Sequence, residues 1–131
     1  MFDPDKFQIN EAWIIFKLND APVSTKADGD FNVLALMDAG SCFILGTEFV
    51  GTNSLELSEL GSKRLLKSGY SHKNQFPKKI LIPANQTVNV LIKEAEQQGI
   101  TVLRVSDEDL LVFVHEARQG FQEHANGSQV Q

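Results

Sequence analysis

The chain has 131 residues, 42% of them hydrophobic and 22% charged. A chain of this size can bury about two-thirds of its unfolded surface, enough for one core without metal or disulfide staples. That composition excludes a disordered or fibrous protein. Twelve basic against seventeen acidic residues leave a net charge of −5, which counts against a general nucleic-acid binder. No apolar run approaches the ~18 residues of a membrane span, and Met1–Asn10 has no signal-peptide pattern. The single Cys42 excludes an internal disulfide. A reducing, cytoplasmic setting without a membrane partner is expected.

Residues 1–11 read as a polar lead-in. Trp13-Ile14-Ile15-Phe16-Lys17-Leu18 is an apolar run, interrupted by Lys17 alone and rich in strand formers, the pattern of a strand covered on both faces. Asp20-Ala21-Pro22 ends it, and Lys26–Asp30 is a turn-rich loop. Phe31–Met37 and Cys42–Val50 are two further strands, and the short Asp38–Ser41 spacer between them makes a hairpin. Cys42, beside Phe43 and Ile44, reads as a small buried hydrophobe. The period then changes. Asn53 with Glu56 three residues on predicts a helix start, Leu57, Leu60, Arg64 and Leu65 follow a helical stripe, and Gly69 predicts its stop. Lys79–Pro83 is a short strand. Asn85 predicts the cap of a second helix, with Val88, Leu91, Ile92 and Ala95 on one face and Gly99 at its end. Ile100–Val105 is a fifth strand, and Ser106 with Asp109 starts a third helix over 107–122. Residues 123–131 are expected to be a disordered tail.

The predicted order is β-β-β-α-β-α-β-α within one domain over residues 1–122. Strands joined by helical crossovers should lie parallel, with right-handed connections. The expected architecture is therefore α/β, a five-stranded mixed sheet of order 3-2-1-4-5 with helices on both faces.

Charge is unevenly spread. Between Ser62 and Lys79 lie six of the twelve basic residues, Lys63, Arg64, Lys67, Lys73, Lys78 and Lys79, with no acid among them. The rest of the chain carries 6 − 17 = −11. Tyr70, His72 and Phe76 fall in the same stretch. Lys63, Arg64, Lys67, Tyr70, Lys73, Phe76, Lys78 and Lys79 are thus the candidate nucleic-acid contacts, basic groups with rings on which bases could stack. The plainer account is a solvated helix end and loop.

Three stretches carry a family resemblance: Trp13-Ile14-Ile15-Phe16, then Asn32–Ser41 leading to Ile44-Leu45-Gly46, then Pro77–Asn85. Over residues 12–122 the chain resembles the ribonuclease H-like fold, and within it the catalytic core of retroviral-type integrases and transposases. The resemblance implies acidic residues that hold Mg²⁺ for phosphodiester cleavage. It puts the first acid at Phe16 and the second at Pro83, and offers Glu116 for the third. Two of three ligands are thereby replaced by groups without a donor atom, so the implied nuclease activity is not expected here.

An alternative acid set is open. Ligands in α/β sheets gather beyond the carboxyl ends of the parallel strands. There this topology brings Asp20, Glu48, Asp107 and Glu108, with Glu56, Glu59, Asn85 and Asp109 nearby and Asp38 at the opposite rim. A simpler role for Asp107–Asp109 and Glu56 is to sit in first helical turns, where the dipole favours anions. Asp38-Ala39-Gly40 reads as a tight turn. No phosphate- or dinucleotide-binding glycine motif occurs, and His72, His115 and His124 lack zinc spacing. The expected function is a non-catalytic binding domain without cofactor, with a protein partner favoured over nucleic acid by the net charge. The alternative is a Mg²⁺-dependent nuclease that uses the relocated acids.

Overall fold

A computed structural model describes residues 6–25 and 29–130. Among them the chain forms, in order, β1 (Ala12–Lys17), β2 (Val23–Thr25), β3 (Gly29–Asp38), β4 (Ile44–Gly51), α1 (Glu59–Lys73), β5 (Lys79–Pro83), α2 (Asn89–Gln97), β6 (Thr101–Val105) and α3 (Asp107–Val130). It is a mixed α/β fold around one six-stranded sheet.

The apolar run of β1 makes it central. Successive side chains point to opposite faces, so Trp13 and Ile15 enter one core with Leu65 and Leu66 of α1 and Leu91 of α2. Ala12, Ile14 and Phe16 enter the other, with Leu110, Phe113 and Val114 of α3. The strand pairs antiparallel with β3 and parallel with β5, which in turn pairs parallel with β6. β4 lies antiparallel along β3 from Phe31 to Met37. The five expected strands thus lie in the order β4-β3-β1-β5-β6. The sixth, β2, was not foreseen. It pairs with Gly29–Phe31, and because β4 covers the opposite edge of β3, β1 and β2 divide one edge between them. Buried Asn19 bridges the interruption: Oδ1 accepts from Val33 N (2.7 Å), while Nδ2 donates to Ala21 O and Asn32 Oδ1.

Several boundaries differ from the sequence reading. The loop expected over Lys26–Asp30 lies partly outside the described residues, and Gly29 and Asp30 already belong to β3. β4 begins at Ile44 rather than Cys42. The Asp38 carboxylate accepts from Asn10 N, Ser41 N and Ser41 Oγ, which holds the turn through Cys42 at a φ of 59°. Cys42 is accordingly half-buried in a turn, not a core strand residue.

α1 starts at Glu59, not Asn53. Its cap is Ser58, whose Oγ accepts from Gly61 N at 3.0 Å. It also runs past Gly69 to Lys73, where left-handed Asn74 ends it. Gly69 serves packing instead, since a Cβ there would lie 2.6 Å from Trp13 Cη2. Asn85 does not cap α2. The cap position is Val88, without a side-chain bond, and Glu56 Oε2 from the loop before α1 accepts from Val90 N at 2.9 Å. Ser106 does cap α3, accepting from Asp109 N. That helix continues through Val130, so most of the stretch expected to be a disordered tail is helical; Gln131 is outside the described residues. No helix among the described residues is long and apolar enough to cross a membrane.

Candidate binding cleft and the rim of the parallel strands

The parallel strands β1 and β5 end at a polar cavity of about 430 Å³, whose lining includes Lys17, Asn19, Asp20, Pro83, Asn85, Asp107 and Arg118. Two of the four relocated acids meet here, Asp20 after β1 and Asp107 at the start of α3. Asp107 Oδ2 accepts from Asn85 Nδ2 at 3.0 Å. Glu48 does not join them. It sits on β4, across β3 from β1, and holds Arg64 through Nε (3.2 Å) and Nη2 (2.8 Å). Glu108 is exposed and does not line the cavity. The positions implied for the family acids fare as follows: Phe16 is buried beneath α3, Pro83 lines the cavity, and Glu116 borders a different one beside Cys42. Among the described residues, no group of three or more His, Cys, Asp and Glu side chains is placed to hold a metal ion.

The rim instead receives cations that sequence spacing did not single out. Arg118 Nε donates to Lys17 O at 3.0 Å across 101 positions of chain, and its guanidinium lies 5.6 Å from the centroid of Phe16. Arg104 on β6 donates to Pro83 O (3.1 Å) and Gln86 O, tying the edge strand to the loop after β5. With Lys17 and Arg118 opposing Asp20 and Asp107, the cavity is close to neutral. Hard divalent cations need several oxygen ligands, and a cavity with two carboxylates and two cations suits them poorly.

A second cleft lies between α1 and α2, about 360 Å³ in volume and mainly apolar. Lys63, Lys67 and Tyr70 fall at i, i+4 and i+7 on one face of α1, and Glu94 and Gln98 face them from α2. Leu66 and Phe76 complete the lining. The Tyr70 and Phe76 rings lie 4.8 Å apart, and Phe76 meets Trp13 edge-on at 6.2 Å. Lys63 Nζ pairs with Glu59 at 3.1 Å, and this hydrogen bond and charge raise the lysine pKa above its ordinary value. Lys67 makes no ion pair among the described residues.

This cleft collects four of the candidate nucleic-acid contacts: Lys63, Lys67, Tyr70 and Phe76. The others are dispersed. Arg64 is engaged by Glu48, which raises its pKa. Lys73 borders a third cavity with Asp38, Phe43 and His72. Lys79 Nζ lies 5.4 Å from the centroid of Phe7 on the α3 side of the sheet, and Lys78 is exposed, its backbone bonded to Glu11. One stretch of sequence therefore serves several surfaces, because α1 turns its residues through 100° each and Lys78 and Lys79 lie beyond it, in the following loop and on β5. Of the histidines, His72 Nε2 lies 3.3 Å from Leu45 O and its ring meets Phe43 edge-on. His115 is exposed, and the His124 side chain falls outside those described. The Cys42 thiol is pushed above its ordinary pKa by burial, and further by the charges of Asp38 and Glu116.

No family model matches the chain, and no curated protein matches it. Among solved structures it is similar to a chain in the cryo-EM structure of the simian T-cell lymphotropic virus intasome in complex with PP2A regulatory subunit B56 gamma, with a TM-score of 0.53 and 12% identity. The likeness is one of fold alone. It covers 90% of this chain and 37% of that chain, so this chain spans little more than a third of that neighbour's length.

Proposed function

We propose that this chain is a non-cleaving binding domain of ribonuclease H-like architecture, with a protein as its partner. The observation that carries the reading is what stands at the ends of β1 and β5: a buried phenyl ring, Phe16, and a buried pyrrolidine, Pro83. Neither offers the oxygen that a Mg²⁺ or Mn²⁺ site needs. Support for the architecture comes from the strand order and from the intasome likeness over 90% of the chain. The net charge of −5 and the dispersal of Arg64, Lys73, Lys78 and Lys79 favour a protein over a nucleic acid. A reducing, cytoplasmic compartment suits a chain with one cysteine.

The test is a cleavage assay on single-stranded DNA, duplex DNA and an RNA–DNA hybrid, with Mg²⁺ and with Mn²⁺. No cleavage above a chelated control is expected. Metal-dependent cleavage that Asp20→Asn abolishes would overturn the proposal and establish the relocated acids as a nuclease site.

A further inference from the structure

Resting on the binding-domain reading, we infer that the α1–α2 cleft receives one apolar or aromatic side chain from an acidic segment of the partner protein. At about 360 Å³ the cleft lies near the small end of the range for ligand sites. It suits one large side chain better than a run of nucleotides. Its floor is built for apolar contact, from Leu66, Tyr70 and Phe76.

The rings argue against a single nucleic-acid strand. Stacking successive bases needs aromatic faces open to solvent. Here Phe76 is half-buried against Trp13 and packs on Tyr70 at 4.8 Å, so that of the two rings Tyr70 alone is exposed, too few for successive bases. What they offer is a wall for an inserted side chain. Charge selects the flanks of that side chain. Lys67 stands at the mouth without a partner among the described residues, whereas Lys63 is already held by Glu59. Glu94 on the opposite wall repels an acid there, so the partner's carboxylate belongs on the α1 side. Of the six basic residues between Ser62 and Lys79 only Lys63 and Lys67 line the cleft, so Lys67 is the cation left to select an acidic flank.

The experiment is selection of a random peptide library on the folded chain, followed by fluorescence anisotropy with the labelled consensus peptide. The expected consensus is a tryptophan, phenylalanine or leucine flanked by aspartate or glutamate. Replacing that anchor with alanine should weaken binding by about tenfold or more, and Lys67→Glu and Tyr70→Ala should each do the same. Both substituted residues are exposed, and thermal unfolding of each variant checks that it folds as the parent does. Failure to enrich any peptide, a consensus without acids or anchor, or binding unchanged in both variants overturns the inference. So does an oligothymidylate that binds more tightly than the peptide and is displaced by Lys67→Glu, which would make the cleft a nucleic-acid site. None of these outcomes touches the cleavage assay, so the loss of this inference and the loss of the non-cleaving reading are separately visible.

Discussion

Replacing Gly69 with alanine tests how α1 is seated on the sheet, and with it the wall of the cleft. The added Cβ would lie 2.6 Å from Trp13 Cη2, 2.7 Å from Leu36 Cδ2 and 2.8 Å from Trp13 Cζ3, well inside the ~3.5 Å at which carbon atoms attract. Neither neighbour can yield easily. Trp13 is fully buried, with its Nε1 donating to Asn10 Oδ1 at 2.8 Å, and Leu36 sits in the same core. Overpacking of this kind costs about 1–3 kcal/mol. Against it stands the gain of removing a glycine from a helix interior, about 1 kcal/mol. Gly120 on α3 supplies the control, because a Cβ there meets nothing within 4 Å among the described residues. Gly120→Ala should therefore stabilise the chain by about 0.5–1 kcal/mol. The difference between the two variants isolates the steric term, about 1–3 kcal/mol. Urea unfolding followed by circular dichroism measures both. If Gly69→Ala is as stable as Gly120→Ala, α1 does not approach the sheet as described. A shift of α1 would also carry Tyr70, the next residue, so peptide binding should weaken in Gly69→Ala but not in Gly120→Ala.

Glu56→Ala removes the acceptor of Val90 N. It should cost about 1 kcal/mol, the usual loss for a helix cap, with faster hydrogen exchange at the first amides of α2; unchanged exchange would refute the capping role. Ser62 is fully buried and its Oγ has no hydrogen-bond partner among the described residues, so Ser62→Ala should leave stability unchanged or raise it by about 1 kcal/mol in the same urea titration. The raised Cys42 pKa means that the native state holds the thiol proton more tightly than the unfolded chain. This contribution to stability is fully present below the ordinary value of 9.0 and is lost as pH rises through the raised one. Alkylation of Cys42 at pH 8 should accordingly be slower in the folded protein than in urea, and Glu116→Gln should speed it; equal rates would show the thiol unperturbed.

Much of the architecture is legible before any folding is considered. The apolar run Trp13–Phe16 can only be satisfied by cover on both faces, and β1 is the strand from which both cores are built. Alternating helix and strand patterns after Gly51 imply crossovers, hence the parallel β1-β5-β6 side of the sheet. The capping box at Ser106 places the start of α3 to the residue. These signals are local or periodic, and a strand or helix buries the same face wherever it lands. β2 carried no such signal, since three residues are too few to show a period.

What the sequence could not determine were groups whose partners come from distant elements. Gly69 reads as a helix stop because glycine favours left-handed backbone, but its role arises from the tryptophan that α1 meets across the sheet. Glu56 takes the part expected of Asn85 for the same reason: the carboxylate nearest the α2 amides arrives from the loop before α1, while Asn85 donates to Asp107. The acids and bases behave alike. Strand topology brings Asp20 and Asp107 to one rim, yet β4 on the far side of β3 gives Glu48 to Arg64, and α3 swings Arg118 over Phe16. The basic stretch is contiguous in sequence but is divided among several surfaces, by helical rotation along α1 and by the passage into β5, and of its eight candidate contacts Lys63, Lys67, Tyr70 and Phe76 share the cleft. Glu94 and Gln98 complete that cleft only once α2 packs beside α1. Residue type and period determine which face of an element is buried, whereas the company a side chain keeps at a site depends on contacts between elements far apart in the chain.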